Sequence, residues 1–170
     1  TDGFTVNNPM PKITAVSPEV APRGKSTTVT ITGTDFVAGA TSVGAVAGIK
    51  AGSVTVISST QLTASLSISR SAALGARELT VTNGTPGGGT GALTGGFTVQ
   101  NPAPVASSVS PQSGILGQAL SVVVTGSGFY SGVASADFGA GVTVNSMKVD
   151  TAGTHLTVNL TISSTAAVGD

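Results

Sequence analysis

Apolar and polar residues alternate along two stretches of the chain in the pattern of half-buried β-strands. Residues 27–32 place Val29 and Ile31 on one face, and residues 61–69 place four apolar residues on one face, namely Leu62, Ala64, Leu66 and Ile68. Successive side chains of a strand point to opposite sides of the sheet. Each stretch therefore predicts a strand with one face in a core and the other toward solvent.

This pattern returns because the sequence repeats itself. Gly-Phe-Thr-Val at residues 3–6 returns at residues 96–99, a shift of 93 (97 − 4). Leu62 matches Leu156, a shift of 94 (156 − 62), so one residue has been inserted. The polar segment at 150–155 is the expected place, since an extra loop residue costs little.

In the second copy the apolar residues occupy the same alternating positions as in the first. Its two alternating stretches carry Leu120, Val122 and Val124, and then Leu156, Val158, Leu160 and Ile162. A one-residue slip would turn every one of these side chains to the other face of the sheet. The preserved alternation predicts that, in both copies, the apolar side chains lie on one face of the sheet and form a core there.

Shorter strands are predicted by apolar and β-branched content at residues 13–16, 43–46, 54–57, 79–81 and 93–99. About seven short strands per copy predict an all-β fold, a two-sheet sandwich. No segment shows the 3.6-residue period of a helix, and residues 71–75 and 165–169 are expected to form one helical turn at most. The glycine-rich residues 83–96 are predicted to be a hairpin loop.

A repeat of this length is one small domain, so the chain is predicted to be a tandem array. Residues 1–8 are expected to be the last strand of a preceding repeat, 9–100 a complete domain, and 101–170 a second domain lacking its last strands. Proline-rich joints at residues 7–11 and 101–104 are stiff. They predict domains arranged end to end.

The second copy lacks the equivalent of residues 76–99, which is 24 residues (99 − 76 + 1) and about two strands. A sandwich without two strands exposes its core and strand edges. Two explanations are open. The chain is an excerpt of a longer repeat protein whose own sequence continues, or another chain supplies the missing strands by β-augmentation. The excerpt is the expected explanation, because residues 1–8 supply one strand and about two are missing.

Composition narrows the functional class. Charged residues are only 8% of the chain, and seven Lys plus Arg balance seven Asp plus Glu. A neutral chain creates no field that attracts phosphates or anionic lipids, so nucleic acid is not an expected partner. Without cysteine there are no disulfides or thiolate zinc sites. No run of about 18 apolar residues predicts a transmembrane segment.

Several ordered motifs resemble the IPT/TIG domains, an immunoglobulin-like family. They are residues 11–18, Gly24, residues 29–36 and the closing Gly-Gly-Phe-Thr-Val at 95–99, with second-copy matches at 104–111, Gly117 and 122–129. The resemblance implies immunoglobulin-like β-sandwich domains. Members of the family occur in cell-surface receptors, Rel-type transcription factors, starch-active enzymes and long bacterial surface proteins, so the resemblance is specific for fold and not for function.

Candidate catalytic and metal-binding residues are few. His155, the only histidine, follows Asp150 by five residues, which suggests a Ser-His-Asp arrangement. The first-copy counterpart of His155 is Gln61, so a structural role is expected and the chain is predicted not to be an enzyme. Asp35 and Asp137 are candidates for a calcium site that also uses loop carbonyl oxygens. Each loop offers only one carboxylate, so ordinary turn residues are expected there, with no metal and no cofactor.

One aromatic residue is a candidate for carbohydrate binding. Tyr130 is expected to be exposed and is the one candidate for stacking on a sugar ring. Carbohydrate modules often present several such rings, whereas this chain has one tyrosine and no tryptophan, so the sequence favours this role weakly. The phenylalanines that recur between copies are predicted to pack in cores or joints, namely Phe4, Phe36, Phe97 and Phe129.

These observations predict a non-enzymatic segment of a long extracellular or cell-surface repeat protein, serving as a stalk, adhesin shaft or filament subunit. Its expected partners are neighbouring repeats of the same or another copy of the chain, or a surface glycan or protein. The alternative is an accessory carbohydrate-associated module of a secreted polysaccharide-active enzyme. A Rel-like DNA-binding role is third, and the neutral charge disfavours it.

Overall fold

The structure, a computed structural model, describes residues 3–169 apart from the side chain of residue 45. Within these residues there are twelve strands and no helix, which confirms the all-β prediction. The chain divides into two compact units, Thr1–Asn101 (unit 1) and Pro102–Asp170 (unit 2). No described segment is a helix long and apolar enough to cross a membrane.

Unit 1 is a sandwich of two four-stranded sheets. Its strands are β1 (Lys12–Ser17), β2 (Val20–Pro22), β3 (Ser26–Thr34), β4 (Thr41–Ala45), β5 (Ile49–Ser58), β6 (Gln61–Ile68), β7 (Gly75–Asn83) and β8 (Gly89–Gln100). The strand order is β1-β3-β6-β5 in one sheet and β2-β8-β7-β4 in the other. Neighbours are antiparallel except β2 and β8, which run parallel.

The core of unit 1 lies between the two sheets. Val29 and Ile31 from β3 and Leu62 from β6 have no exposed surface, and they belong to one cluster with Leu79 of β7 and Phe97 of β8. The predicted alternation in residues 27–32 and 61–69 is thereby confirmed. Burying each of these side chains contributes about 1.5–3 kcal/mol to folding.

Glycine-rich residues 83–96 are mostly strand, so the prediction of a long hairpin loop is wrong. The loop spans only residues 84–88, and β8 begins at Gly89. A β-carbon on Gly91 would collide with the backbone carbonyl oxygen of Pro11. Glycine is needed here because another part of the backbone passes close to the strand.

Unit 2 contains one four-stranded sheet. Its strands are β9 (Val105–Ser110), β10 (Ala119–Ser127), β11 (Val142–Val149) and β12 (His155–Ile162), in the order β11-β12-β10-β9. This is the order of β5-β6-β3-β1 in unit 1. The register is also the same, since Val29 pairs with Ala64 in unit 1 and Val122 with Val158 in unit 2.

The predicted insertion lies in the β11–β12 hairpin. Val56 and Leu62 are paired in unit 1 with five residues between them, 57–61, and their counterparts Val149 and Leu156 are paired with six between them, 150–155. His155 itself is not in the loop as predicted, because it is the first residue of β12.

The second sheet of unit 1 has no counterpart among residues 102–169. In unit 1, β2 pairs with β8 and β4 pairs with β7. The matching segments of unit 2, residues 113–115 and 134–138, are not strands. Both lack the neighbouring strand whose backbone would complete their hydrogen bonds.

Candidate interaction surface

Asp150 and His155 are brought together by the β11–β12 hairpin. The His155 Nδ1 atom lies 3.1 Å from Oδ2 of Asp150 and 3.0 Å from the Thr154 hydroxyl. Asp150 Oδ1 accepts hydrogen bonds from the backbone N–H groups of Thr154 at 2.8 Å and His155 at 3.1 Å, and the Thr154 hydroxyl donates to Oδ2 at 2.9 Å. The carboxylate therefore closes the loop of residues 150–154 between β11 and β12.

The electrostatics of Asp150 fit this structural role. Partial loss of water around the carboxylate raises its pKa, but the hydrogen bonds from His155 and Thr154 outweigh that effect and hold the pKa well below its usual range. The side chain of His155 is 52% exposed. The acceptor positions of Asp150 are occupied by its own loop, which is the arrangement of a turn that is locked by an aspartate.

Tyr130 lies inside unit 2, so the prediction that it is exposed is wrong. Only 7% of its surface is accessible. Its carbonyl oxygen accepts a hydrogen bond from the backbone N–H of Ala134 at 3.0 Å, which closes the turn that follows. A buried ring offers no face on which a sugar can stack. Sequence alternation could not place it, because Tyr130 follows Phe129 in a segment outside the strands.

The two candidate calcium residues lie in separate turns. Asp35 has a left-handed backbone (φ 64°) and accepts a hydrogen bond from Thr34 Oγ1 at 2.8 Å. Asp137 Oδ1 accepts one from the backbone N–H of Gly139 at 2.9 Å. Across residues 3–169, no three His, Asp or Glu side chains are close enough together to hold a metal ion.

Asn83 is a buried polar residue that the sequence pattern missed. It is 2% exposed, and its Nδ2 donates to the carbonyl oxygens of Pro9 at 2.8 Å and Asp35 at 2.7 Å. Its Oδ1 accepts a hydrogen bond from the Thr41 hydroxyl at 2.6 Å. One side chain thus ties the entering chain, the β3–β4 connection and β4 to the end of β7.

The residues that enter unit 1 are anchored at Asn8. The backbone N–H of Asn8 donates to the carbonyl of Pro86 at 2.7 Å, its Nδ2 donates to the carbonyl of Gly84 at 2.8 Å, and its own carbonyl accepts from Gly88 at 2.7 Å. Before this anchor, Phe4 is 95% exposed and Val6 is 74% exposed, and residues 3–7 form no strand. Residues 1 and 2 of the predicted strand at 1–8 lie outside the described residues.

Unit 2 presents an open apolar face where unit 1 has its second sheet. We define the open face as residues 112–117, with Ile115 and Leu116, together with the partly buried side chains behind them, Leu120 and Ile162. Ile115 is 72% exposed and Leu116 47%. A β-carbon on Gly114 would lie 2.6 Å from Cδ1 of Ile162 and 3.4 Å from Cδ1 of Leu120, so these two side chains form the floor beneath residue 114.

Comparison with known proteins identifies the family of the repeat. The model of the IPT/TIG domain matches residues 11–99. No curated protein matches the chain.

Two solved structures resemble the chain at low sequence identity. One is of FdeC, described as a broadly conserved Escherichia coli adhesin, with 16% identity and a TM-score of 0.37 over 96% of this chain and 58% of that one. The other contains domains 5–6 of the S-layer protein SbsC, with 17% identity and a TM-score of 0.34 over 94% of this chain and 88% of that one. The chain thus spans less than two thirds of the adhesin structure.

Proposed function

This chain belongs to the IPT/TIG domain family, and from that premise we propose that it is a non-enzymatic structural or adhesive segment of a long extracellular repeat protein. It serves as a stalk, an adhesin shaft or a filament subunit, with its domains joined end to end. Neighbouring repeats, of the same chain or of another copy, are its first partners.

The observation that carries this proposal is which residues the two copies share. Gly33 and its counterpart Gly126 both lie against a passing backbone and against the ring of Phe36 or Phe129. Gly24 and Gly117 hold the same turn, with φ of 76° and 75°. The shared residues are therefore those that build and pack the fold.

The candidate catalytic, metal-binding and sugar-binding residues are not shared by the two copies. Asp35 corresponds to Gly128 and Asp137 to Gly44, while Tyr130 corresponds to Val37 and His155 to Gln61. The two copies keep the residues that pack the core and form the turns, but they differ at the acidic residues and at the histidine. A repeat of this kind acts as a scaffold. Such a scaffold extends a protein and presents surface without performing chemistry.

The outward faces of the strands are suited to uncharged contact. On the β3–β6 pair, hydroxyl side chains lie opposite each other, with Thr28 paired with Ser65 and Thr30 with Thr63. The chain has no net charge and few charged residues. Association through these surfaces is expected to depend weakly on salt.

Location at the cell surface can be tested by protease treatment of intact cells of the producing organism. Antibodies against unit 1 should detect loss of the full-length band on intact cells, while a cytoplasmic marker protein survives. Cleavage only after lysis would contradict the proposal. Cosedimentation with insoluble polysaccharides tests the carbohydrate-module alternative, for which Tyr130 as a stacking residue gives no support because it is buried.

A further inference from the structure

We infer that Asn83 and Gly84 form a latent modification site, at which the asparagine side chain cyclises onto the backbone of Gly84 once unit 1 unfolds. The folded unit blocks this reaction, and the product prevents the unit from folding again as before. Unfolding of unit 1 is thereby converted into a permanent chemical mark. The inference goes beyond the proposed structural function and does not depend on it.

The sequence places the reactive pair at one position. The chain has six asparagines, and Asn83 is the only one that is followed by glycine. Glycine has no β-carbon, so its backbone is free to turn in an unfolded chain and its nitrogen approaches the preceding side chain without hindrance. The pair of Asn83 and Gly84 is therefore the one in this chain that is best suited to cyclise.

The reaction needs only water besides the chain itself. The Gly84 nitrogen attacks Cγ of Asn83 and loses its proton, a new C–N bond forms, and the bond from Cγ to Nδ2 breaks to release ammonia. Water then adds to either carbonyl of the cyclic imide and opens it. One opening gives aspartate, and the other gives isoaspartate, in which the main chain runs through the side-chain carboxyl carbon. In both products a carboxylate replaces the amide, with no oxidation or reduction.

In the folded unit the attacking nitrogen is held by the sheet. The N–H of Gly84 donates to the carbonyl oxygen of Ala40 at 2.9 Å, beside the pair of Thr41 and Asn83 that joins β4 to β7. The carbonyl oxygen of Gly84 accepts a hydrogen bond from Nδ2 of Asn8 at 2.8 Å. The peptide groups on both sides of Gly84 are therefore fixed, and the nitrogen turns toward the side chain only if these bonds break.

The amide group that would be attacked is held by three hydrogen bonds. Its Nδ2 donates to the carbonyl oxygens of Pro9 at 2.8 Å and Asp35 at 2.7 Å, and its Oδ1 accepts from the Thr41 hydroxyl at 2.6 Å. Both N–H donors of the amide are thus used. Because Asn83 is only 2% exposed, these partners are not replaced by water while the unit is folded. Cyclisation therefore requires that this part of unit 1 opens.

The product does not fit the place of Asn83. A carboxylate accepts hydrogen bonds and donates none, so it would face the carbonyl oxygens of Pro9 and Asp35 without a proton between them. An unpaired charge is also unfavourable at a buried position. Isoaspartate adds one carbon to the main chain, which disturbs the pairing of residue 83 with Thr41 and Gly89. Both products therefore oppose the return of unit 1 to its folded state.

Mass spectrometry of the chain of 170 residues tests this inference. The chain is kept at mildly alkaline pH, either folded in buffer or unfolded in urea, and peptides that contain residue 83 are analysed for aspartate and isoaspartate. Modification of a transiently open state follows the population of that state. We therefore expect less than about 1% conversion of the folded chain in the time that the unfolded chain takes to react fully.

Gly84→Ala is the matched control for the nucleophile. A β-carbon on Gly84 meets only the carbonyl oxygen of Ala40, at 3.7 Å, so the folded unit admits it. In the unfolded chain the added methyl group stands beside the attacking nitrogen. Residue 83 should then react several times more slowly than in the unmodified chain. Equal rates in the two unfolded chains would show that the Gly84 nitrogen is not the attacking group.

Refolding measures the consequence of the reaction. After different times in urea, the unmodified and Gly84→Ala chains are diluted into buffer, and the recovery of unit 1 is followed by circular dichroism. We expect recovery to fall in step with the conversion of residue 83, and to fall more slowly in Gly84→Ala. Asn83→Asp makes one product directly, and its unit 1 should unfold at lower urea than that of Gln61→Glu, which makes the same chemical change at an exposed position.

Conversion of residue 83 at the same rate in the folded and unfolded chains would overturn the inference. An unfolded chain that keeps the amide at residue 83 would overturn it too. Full recovery of unit 1 after conversion, or equal stability of Asn83→Asp and Gln61→Glu, would contradict the claim that the mark is permanent. None of these results would disprove the stalk or shaft function, which depends on surface location and extended shape.

Discussion

The ring of Phe36 lies against the α-carbon of Gly33, so that a β-carbon on Gly33 would stand 2.6 Å from the ring Cζ and would also collide with the carbonyl oxygen of Lys12. The corresponding distance from Gly126 to Cζ of Phe129 in unit 2 is 2.8 Å. The glycine lets β1 and the aromatic ring approach β3 together. This contact explains why both members of the pair recur in the repeat.

Gly33→Ala is therefore expected to destabilise unit 1 by about 1–3 kcal/mol, because the backbone and the ring must both move to admit a methyl group. Urea unfolding followed by circular dichroism measures the change. Gly84→Ala is the matched control, since a β-carbon there meets only one atom, at 3.7 Å. An equal loss in the two variants would show that the close approach has no energetic importance.

Asn83→Ala should also destabilise unit 1, by about 2–4 kcal/mol, because it leaves the carbonyls of Pro9 and Asp35 without their buried donor. The melting temperature and the urea midpoint measure this loss. Gln61→Ala, at an exposed position, should change stability by less than about 0.5 kcal/mol. Unchanged stability in Asn83→Ala would mean that the three connected segments are held by other contacts.

Acid should weaken unit 2 through Asp150. The folded-state pKa of this carboxyl lies below its unfolded value of about 3.9. Its stabilising contribution is therefore complete above that pH and is lost as the pH falls toward the folded-state pKa. Asp150→Asn should lower stability at neutral pH and flatten the acid dependence. The control is Asp137→Asn, whose carboxylate accepts a hydrogen bond from the backbone N–H of Gly139. Equal acid profiles for Asp150→Asn and the unmodified chain would contradict this account of the loop.

Tyr130→Ala should destabilise unit 2 by about 3 kcal/mol or more, as removal of a buried aromatic side chain does. Urea unfolding followed by circular dichroism measures this loss, because the variant has neither tyrosine nor tryptophan. In the unmodified chain Tyr130 is the only tyrosine and there is no tryptophan, so tyrosine fluorescence reports on unit 2 alone. Soluble glucans should leave this fluorescence unchanged in the folded chain, while urea should change it. A saturable response to a glucan would restore Tyr130 as a carbohydrate contact.

The sequence predicted the strands whose side chains alternate, because burial on one face leaves a period of two that is visible in β3, β6, β10 and β12. It missed β2, whose three residues are too short for a period and whose pairing with β8 is distant in sequence. It misassigned the first part of β8, where glycines are required by backbone contact and carry no side-chain pattern.

The site was less predictable than the fold for a related reason. Tyr130 lies in an irregular segment after β10, and its burial depends on tertiary contacts that no local pattern encodes. The anchoring roles of Asn8 and Asn83 depend on carbonyl groups that lie far away in the chain. By contrast, the match of residues 3–6 to residues 96–99 was visible in the sequence, because the two segments are identical.

Electron microscopy of the native, full-length protein at the cell surface or in culture supernatant is the most direct test of its proposed role. Antibody against unit 1 should label extended rods or fibres, with label recurring along their length where copies or repeats adjoin. Label confined to the cytoplasm, or to compact particles without extension, would contradict a stalk, shaft or filament.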